Sequence, residues 1–230
     1  MPLAPRICRP WNLPSEPRAQ LAVVMDVVRA TTTAAVLCER TEKLIVLASP
    51  EGLTSFATQE GYTVFSELEI EPRWTHLDNS PALAHGSEWS GQPILISTNG
   101  TPAVHAALDR ADEVVLAAFV NLTACLEWIR HRGFDDVLLV PAGYGPRQEA
   151  RREDDACAEA VDQLLRGLQP DVAELIASCW SAPVISRRLA RTPALRADVE
   201  LALTVDSLAC VPLASRQPDH ILVHRAPTRR

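Results

Sequence analysis

An α/β fold on a mainly parallel or mixed central sheet is what this sequence predicts, from three observations. Short apolar runs of strand length alternate with amphipathic helical patterns along most of the 230 residues. The runs are apolar throughout instead of alternating with polar residues, as strands covered on both faces are. Polar or glycine-containing segments follow the runs, where helices and turns begin.

In chain order, residues 1–20 are proline-rich and weakly periodic, which predicts an irregular lead-in. Residues 21–25 (LAVVM) predict a buried strand and 30–40 a helix. Strands are expected at 44–48 and 62–65, with a helix over 51–61 between them. Residues 66–92 are polar, carry Pro, Trp and Gly, and predict a long loop. A strand at 93–96, a helix at 102–110 and a strand at 114–119 follow. Leu122, Cys125, Leu126 and Ile129 share one helical face within 122–131, and 137–140 is the next strand. Val161, Leu164, Leu165 and Leu168 form the apolar stripe of a helix over 154–168. Residues 171–205 predict helices interrupted at Pro183 and Pro193, and 221–223 a last strand. The expectation is one α/β domain over 21–230, in which 150–205 could form a helical subdomain.

Composition narrows the function. There are 22 basic and 29 acidic residues, a net charge of −7, which argues against a protein held on nucleic acid by bulk charge. Lys43 is the only lysine, so mechanisms needing one elsewhere are excluded. The six cysteines form no C-x-x-C pair and read as buried thiols. No apolar run reaches the ~20 residues of a membrane span, so a cytoplasmic protein without membrane or nucleic-acid partners is expected. Nucleotide loops of the G-x-x-x-x-G-K-[ST] and G-x-G-x-x-G types are missing, as is a G-x-S-x-G elbow. Val28 stands where a haloacid-dehalogenase-type phosphatase needs a second Asp. Cys125 and Arg130 are one residue too close for a cysteine phosphatase.

The informative residues follow the strands. Asp26, Arg29 and Thr31 to Thr33 follow 21–25; Ser66-Glu67 follows 62–65. Ser97 to Thr101 follows 93–96, Asn121 follows 114–119 and Ala142-Gly143 follows 137–140. If the strands are parallel, these groups meet at one sheet edge, where α/β proteins bind ligands. Helix N-termini with Thr hydroxyls suit phosphate, and Arg29 can add a bidentate contact. This makes Thr31, Thr32, Asn99, Gly100, Thr101 and Asn121 candidate phosphate contacts. Asp26, Glu67 and Asp154 are oxygen ligands of the kind Mg²⁺ prefers. Each has a plainer reading as well: N-caps for the threonines, a tight turn for Asn99-Gly100, a helix-dipole partner for Glu153 to Asp155. Asp26, at the end of an apolar strand, needs either Arg29 or a cation.

At these segments the chain resembles the 2-phosphosulfolactate phosphatase family. Asp26 to Thr33 matches its Asp-Val-x-Arg-Ala-Thr-Thr-Thr stretch, Thr98 to Thr101 its Thr-Asn-Gly-Thr, and Asn121, Ala142-Gly143 and Glu153-Asp154-x-x-Cys157-Ala158 follow in order. Asp198, Asp206 and Val211-Pro212 fit its closing segment, and Asn79-Ser80-Pro81 its Asn-Ser-Pro, so Asn79 and Ser80 join the candidates. The chain departs where the family has Gly-Glu-Arg (Ser66-Glu67-Leu68), Asp and Gly (His76 and Asp78), and Gly (Glu159). The resemblance implies a three-layer α/β/α fold and a magnesium-dependent hydrolase acting on a small acidic phosphoester. The family's named substrate lies on the archaeal route to coenzyme M. Asp26, Glu67 and Asp154 would hold Mg²⁺, with Arg29 catalytic beside them and acid help from 76–80. The alternative is a catalytically silent relative that binds a small anionic metabolite. A homodimer is compatible with either.

Overall fold

The computed structural model describes residues 3–56 and 58–227. Ten strands form one sheet: β1 (Arg6–Ile7), β2 (Ala19–Met25), β3 (Lys43–Leu47), β4 (Tyr62–Ser66), β5 (His76–Leu77), β6 (Gln92–Ile96), β7 (Ala111–Leu116), β8 (Val137–Pro141), β9 (Pro212–Arg216) and β10 (Ile221–Arg225). Their spatial order is β1-β8-β2-β7-β9-β10-β3-β6-β4-β5. The pairs within β1-β8-β2-β7 and within β3-β6-β4-β5 are parallel. Between these halves lies the antiparallel β9–β10 hairpin, itself antiparallel to both neighbours. The two halves therefore run in opposite senses along the ladder, whereas the sequence reading placed its strand ends on one edge by assuming parallel strands.

Eight α-helices accompany the sheet among the described residues: α1 (Ala30–Arg40), α2 (Pro81–Gly86), α3 (Gly100–Leu108), α4 (Leu122–Arg132), α5 (Arg152–Leu165), α6 (Val172–Trp180), α7 (Pro183–Arg191) and α8 (Leu195–Ala202). The pleat sorts side chains into layers. In β2, Leu21, Val23 and Met25 face α4 and α5 through Cys125, Leu126, Ile129, Cys157 and Val161. Ala22 and Val24 face the opposite way, onto α1 and α3 through Ala34, Leu37, Ala103 and Val104. That second face continues across the other half through Leu44, Val46 and Leu95, so α1 and α3 are covered by strands of both halves. Leu175, Ile185, Leu195 and Val199 of α6, α7 and α8 join the same core as β2, so the 150–205 helices pack as part of the domain. None of the described helices is long and apolar enough to cross a membrane.

Several boundaries differ from expectation. Among the described residues of 51–61 the expected helix is a 3₁₀ turn over Pro50–Ser55, and the 66–92 loop contains β5 and α2. The strand expected at 114–119 lies at Ala111–Leu116. Helix α5 ends at Leu165, leaving Leu168 of the expected stripe exposed. Pro183 opens α7 at a position where its missing N–H costs nothing. Cys8 is partly exposed; the other five cysteines are buried, and all six are free thiols.

Candidate active site

The carboxyl ends of β2, β4, β6 and β8 meet although the halves oppose each other in the ladder. Strand twist supplies the reason. Adjacent strands rotate by roughly 20–25°, so the five pairings from β2 to β6 accumulate roughly 100–125°. That rotation swings formally opposed strands back toward a common end. Gly100, the first residue of α3, packs so close to the end of β2 that a Cβ there would lie 2.6 Å from both Asp26 Oδ2 and Ala30 Cβ. The Gly145 N–H after β8 donates to Asn99 Oδ1 after β6, at 3.1 Å.

A cleft of about 210 Å³ opens at this junction, lined by Asp26, Glu67, Asn79, Asn99, Glu153 and Asp154, with Arg29, Arg151 and Arg188 around them. Asp26 is 6% exposed. Of the two partners open to it, Arg29 or a cation, Arg29 is not engaged. Arg29 instead donates to both oxygens of Asp78 (Nη1–Oδ2 2.6 Å, Nη2–Oδ1 3.0 Å) and to Asp198 Oδ2 at 2.9 Å. Burial, then the neighbouring Glu67 charge, pushes the Asp26 carboxyl up to about 7; Arg188 opposes the shift.

Glu67 is fixed from two sides: the Thr98 N–H donates to Oε1 at 2.7 Å and Asn79 Nδ2 to Oε2 at 2.8 Å. Asp154 reaches the junction from the first turn of α5. It accepts from the Val27 N–H at 2.8 Å and the Gly143 N–H at 2.9 Å, tying together the turns after β2 and β8. Gly143 allows this close seating. It has φ +64°, and a Cβ there would meet Glu149 O at 2.6 Å. Burial, with Asp26 and Glu153 nearby, holds the Asp154 carboxyl well above its usual range. Among the described residues no group of three or more His, Cys, Asp and Glu is arranged to hold a metal ion unaided.

The remaining candidates divide. Asn79 and Asn99 reach the cleft. Thr31, Thr32 and Thr101 are buried, and their hydroxyls are spent locally. Thr31 Oγ1 accepts from the Asp26 N–H and Thr32 Oγ1 donates to Val27 O. Thr101 Oγ1 accepts from the Ser97 N–H at 3.0 Å and donates to Ser97 O at 3.1 Å, while Ser97 Oγ accepts the Thr101 N–H at 2.9 Å. For these threonines the turn-forming reading describes the observed bonds. Asn121 is fully buried, bracing Ala118, Leu116 and Cys210 backbone away from the cleft. Ser80 caps α2 and donates to Asp198. His76 Nε2 lies 2.9 Å from Ser66 O on the edge strand. Thr101→Val is therefore expected to cost about 1–3 kcal/mol by orphaning the Ser97 N–H while leaving phosphate affinity unchanged. Urea unfolding beside phosphate inhibition checks both halves of that expectation.

Three cleft residues fell outside the sequence reading of the site. Arg151 stacks over the Tyr144 ring, 4.9 Å from its centroid. Arg188 donates to Val28 O at 3.2 Å and stands 3.9 Å from Glu153 Oε1. Glu153 is buried with Oε2 unpartnered, and burial raises its pKa. Glu153 was present in the Glu153-Asp154 motif but read equally as a helix-dipole partner, and nothing in the sequence singled out Arg151 or Arg188.

The 2-phosphosulpholactate phosphatase family model matches residues 8–217. A protein of Thermus thermophilus named probable 2-phosphosulfolactate phosphatase is 34% identical over 125 residues, 54% of this chain and 53% of that one. One of Thermoplasma acidophilum with the same name is 29% identical over 202 residues, 86% of this chain and 87% of that one. The chain thus spans about half the length of the Thermus relative and most of the Thermoplasma relative. With the match running from the lead-in to β9, this chain belongs to the 2-phosphosulpholactate phosphatase family.

Proposed function

We propose that this chain is a magnesium-dependent phosphoric monoester hydrolase, releasing inorganic phosphate and a hydroxy acid from a small acidic phosphoester such as 2-phosphosulfolactate. One observation carries the reading: Asp26 is a buried carboxyl with no ion-pair partner among the described residues, beside Glu67, in a cleft lined by three arginines. The donor set fits a hard cation. It is all oxygen, and Glu153 Oε2 and Asn79 Oδ1 are buried acceptors without partners. Mg²⁺ keeps several waters and commonly takes one or two carboxylates plus substrate phosphate, so a preformed protein triad is not required. Asp26 and Glu67 would hold the ion. When bound, it supplies positive charge against the phosphoryl oxygens.

The chain's own groups do the rest. Arg151 and Arg188 offer guanidinium donors to the phosphate. Asn79 and Asn99 orient from the opposite side, and Asp154 keeps the β2 and β8 turns in register. Phosphate release from 2-phosphosulfolactate and a panel of small phosphoesters, with Mg²⁺ and after chelation, tests the reading. Release that depends on Mg²⁺ is expected; activity undiminished by thorough chelation contradicts the metal assignment. A silent metabolite-binding relative is the second reading, favoured by one observation: Asp78 already spans the Arg29 fork. Phosphate binding without turnover of any ester would support it.

A further inference from the structure

Beside the carboxylate cleft lies a second, larger chamber of about 420 Å³. The two share Arg29 and Arg188 as a common wall. The chamber is bounded by α2, the α7–α8 turn and α8, and Ala82, Leu83, Ala194, Leu195 and Ala197 give it an aliphatic wall. Most of its charges are paired. Asp78 and Asp198 are taken by Arg29, and Arg188 leans toward Glu153. Arg191, in the last turn of α7, is the exception: it has no ion-pair partner among the described residues. The cleft alone is smaller than the ~300–1,000 Å³ usual for small-molecule sites; cleft and chamber together fall inside that range.

We infer that this chamber is a second subsite, taking the part of the substrate beyond its reacting phosphate: an aliphatic body ending in a carboxylate that pairs with Arg191. The inference rests on the phosphoester reading of the cleft and extends it to a substrate longer than a three-carbon acid. Aliphatic walls reward the removal of methylene groups from water by about 0.8 kcal/mol each. An arginine without an ion-pair partner on the chamber wall, one helical turn from the shared Arg188, favours an anionic end over a neutral one.

Calorimetric titration with phosphonoacetate, 6-phosphonohexanoate and hexylphosphonate, with and without Mg²⁺, tests it. The long phosphonocarboxylate is expected to bind at least tenfold more tightly than phosphonoacetate and more tightly than hexylphosphonate. Arg191→Ala should bring it down to the hexylphosphonate level. Ala197→Trp, a change at an exposed position, should fill the chamber and erase the chain-length gain. Neither variant should alter phosphonoacetate binding. Equal affinity for the short and long ligands, or a gain that survives Ala197→Trp, overturns the subsite and leaves the phosphoester reading standing. Absence of phosphonoacetate binding overturns both.

Discussion

Asp26→Asn is expected to lower turnover by orders of magnitude and, in the same molecule, to stabilise the metal-free protein at neutral and alkaline pH. A carboxyl whose pKa rises on folding binds its proton more tightly in the native than in the unfolded state. Stability then falls as pH rises from the unfolded value of 3.8 to the folded value of about 7. Above that window the charged Asp26 costs on the order of 4 kcal/mol. The amide carries no charge to desolvate. Its stability advantage should therefore be absent near pH 3.5, grow through the window and level off near pH 8. Removing a charge worth several kcal/mol to the transition state lowers the rate roughly 10²–10⁴-fold. Urea unfolding of both metal-free proteins across this pH range, beside phosphate release with Mg²⁺, measures the two effects. Parallel stability profiles would show that Asp26 is not a strained charge. Near-normal turnover would remove it from the chemistry.

The second large effect is expected at Asp198. This carboxylate, only 3% exposed, accepts from Arg29 at 2.9 Å, from the Ser80 hydroxyl and from the Ala82 N–H at 3.2 Å. It joins α8 to the start of α2 and fixes the arginine that cleft and chamber share. Asp198→Asn leaves a largely buried guanidinium facing an amide. It should cost roughly 3–5 kcal/mol, a fall in Tm of roughly 6–20 °C for a chain of this size. Asp78 makes two bonds to the same arginine, but its side chain is 47% exposed. Asp78→Asn should cost less than about 1 kcal/mol. Thermal unfolding of the two variants side by side separates a buried anchor from a surface pair. Equal shifts would contradict the distinction.

What the sequence made legible follows from where each structural signal resides. Strand β2 and helices α1 and α4 are set by local apolar pattern, and their expected positions agree with those observed to within a few residues. Strand β1 has two residues and β9 begins with a proline; both exist because neighbouring strands pair with them, which no local pattern encodes. Strand direction was equally hidden, because it depends on a hairpin more than a hundred residues from most of the strands it separates. In the site, Asp26, Glu67 and Asn99 were recognisable because a polar residue after an apolar strand is conspicuous. Thr31, Thr32 and Thr101 carried the same signal for another reason, since a hydroxyl that closes a turn sits where one that binds an anion would. Arg188 was invisible: on α7 it is one of several arginines, and packing alone chooses the one that faces the cleft.

The β9–β10 hairpin also dictates an order of events during synthesis. Every cleft residue named above has been added to the chain before residues 212–225 are made, yet among the described residues those supply the only rungs joining the two halves of the sheet. The nascent chain can form either half locally. The ladder that sets their final angle closes only when the hairpin slides between them, so until nearly the last segment is translated Asp26 and Asn99 are held near each other by the packing of α1 and α3. Contacts closed over such sequence separations form slowly, and the hairpin's rungs are accordingly the last of the sheet to close.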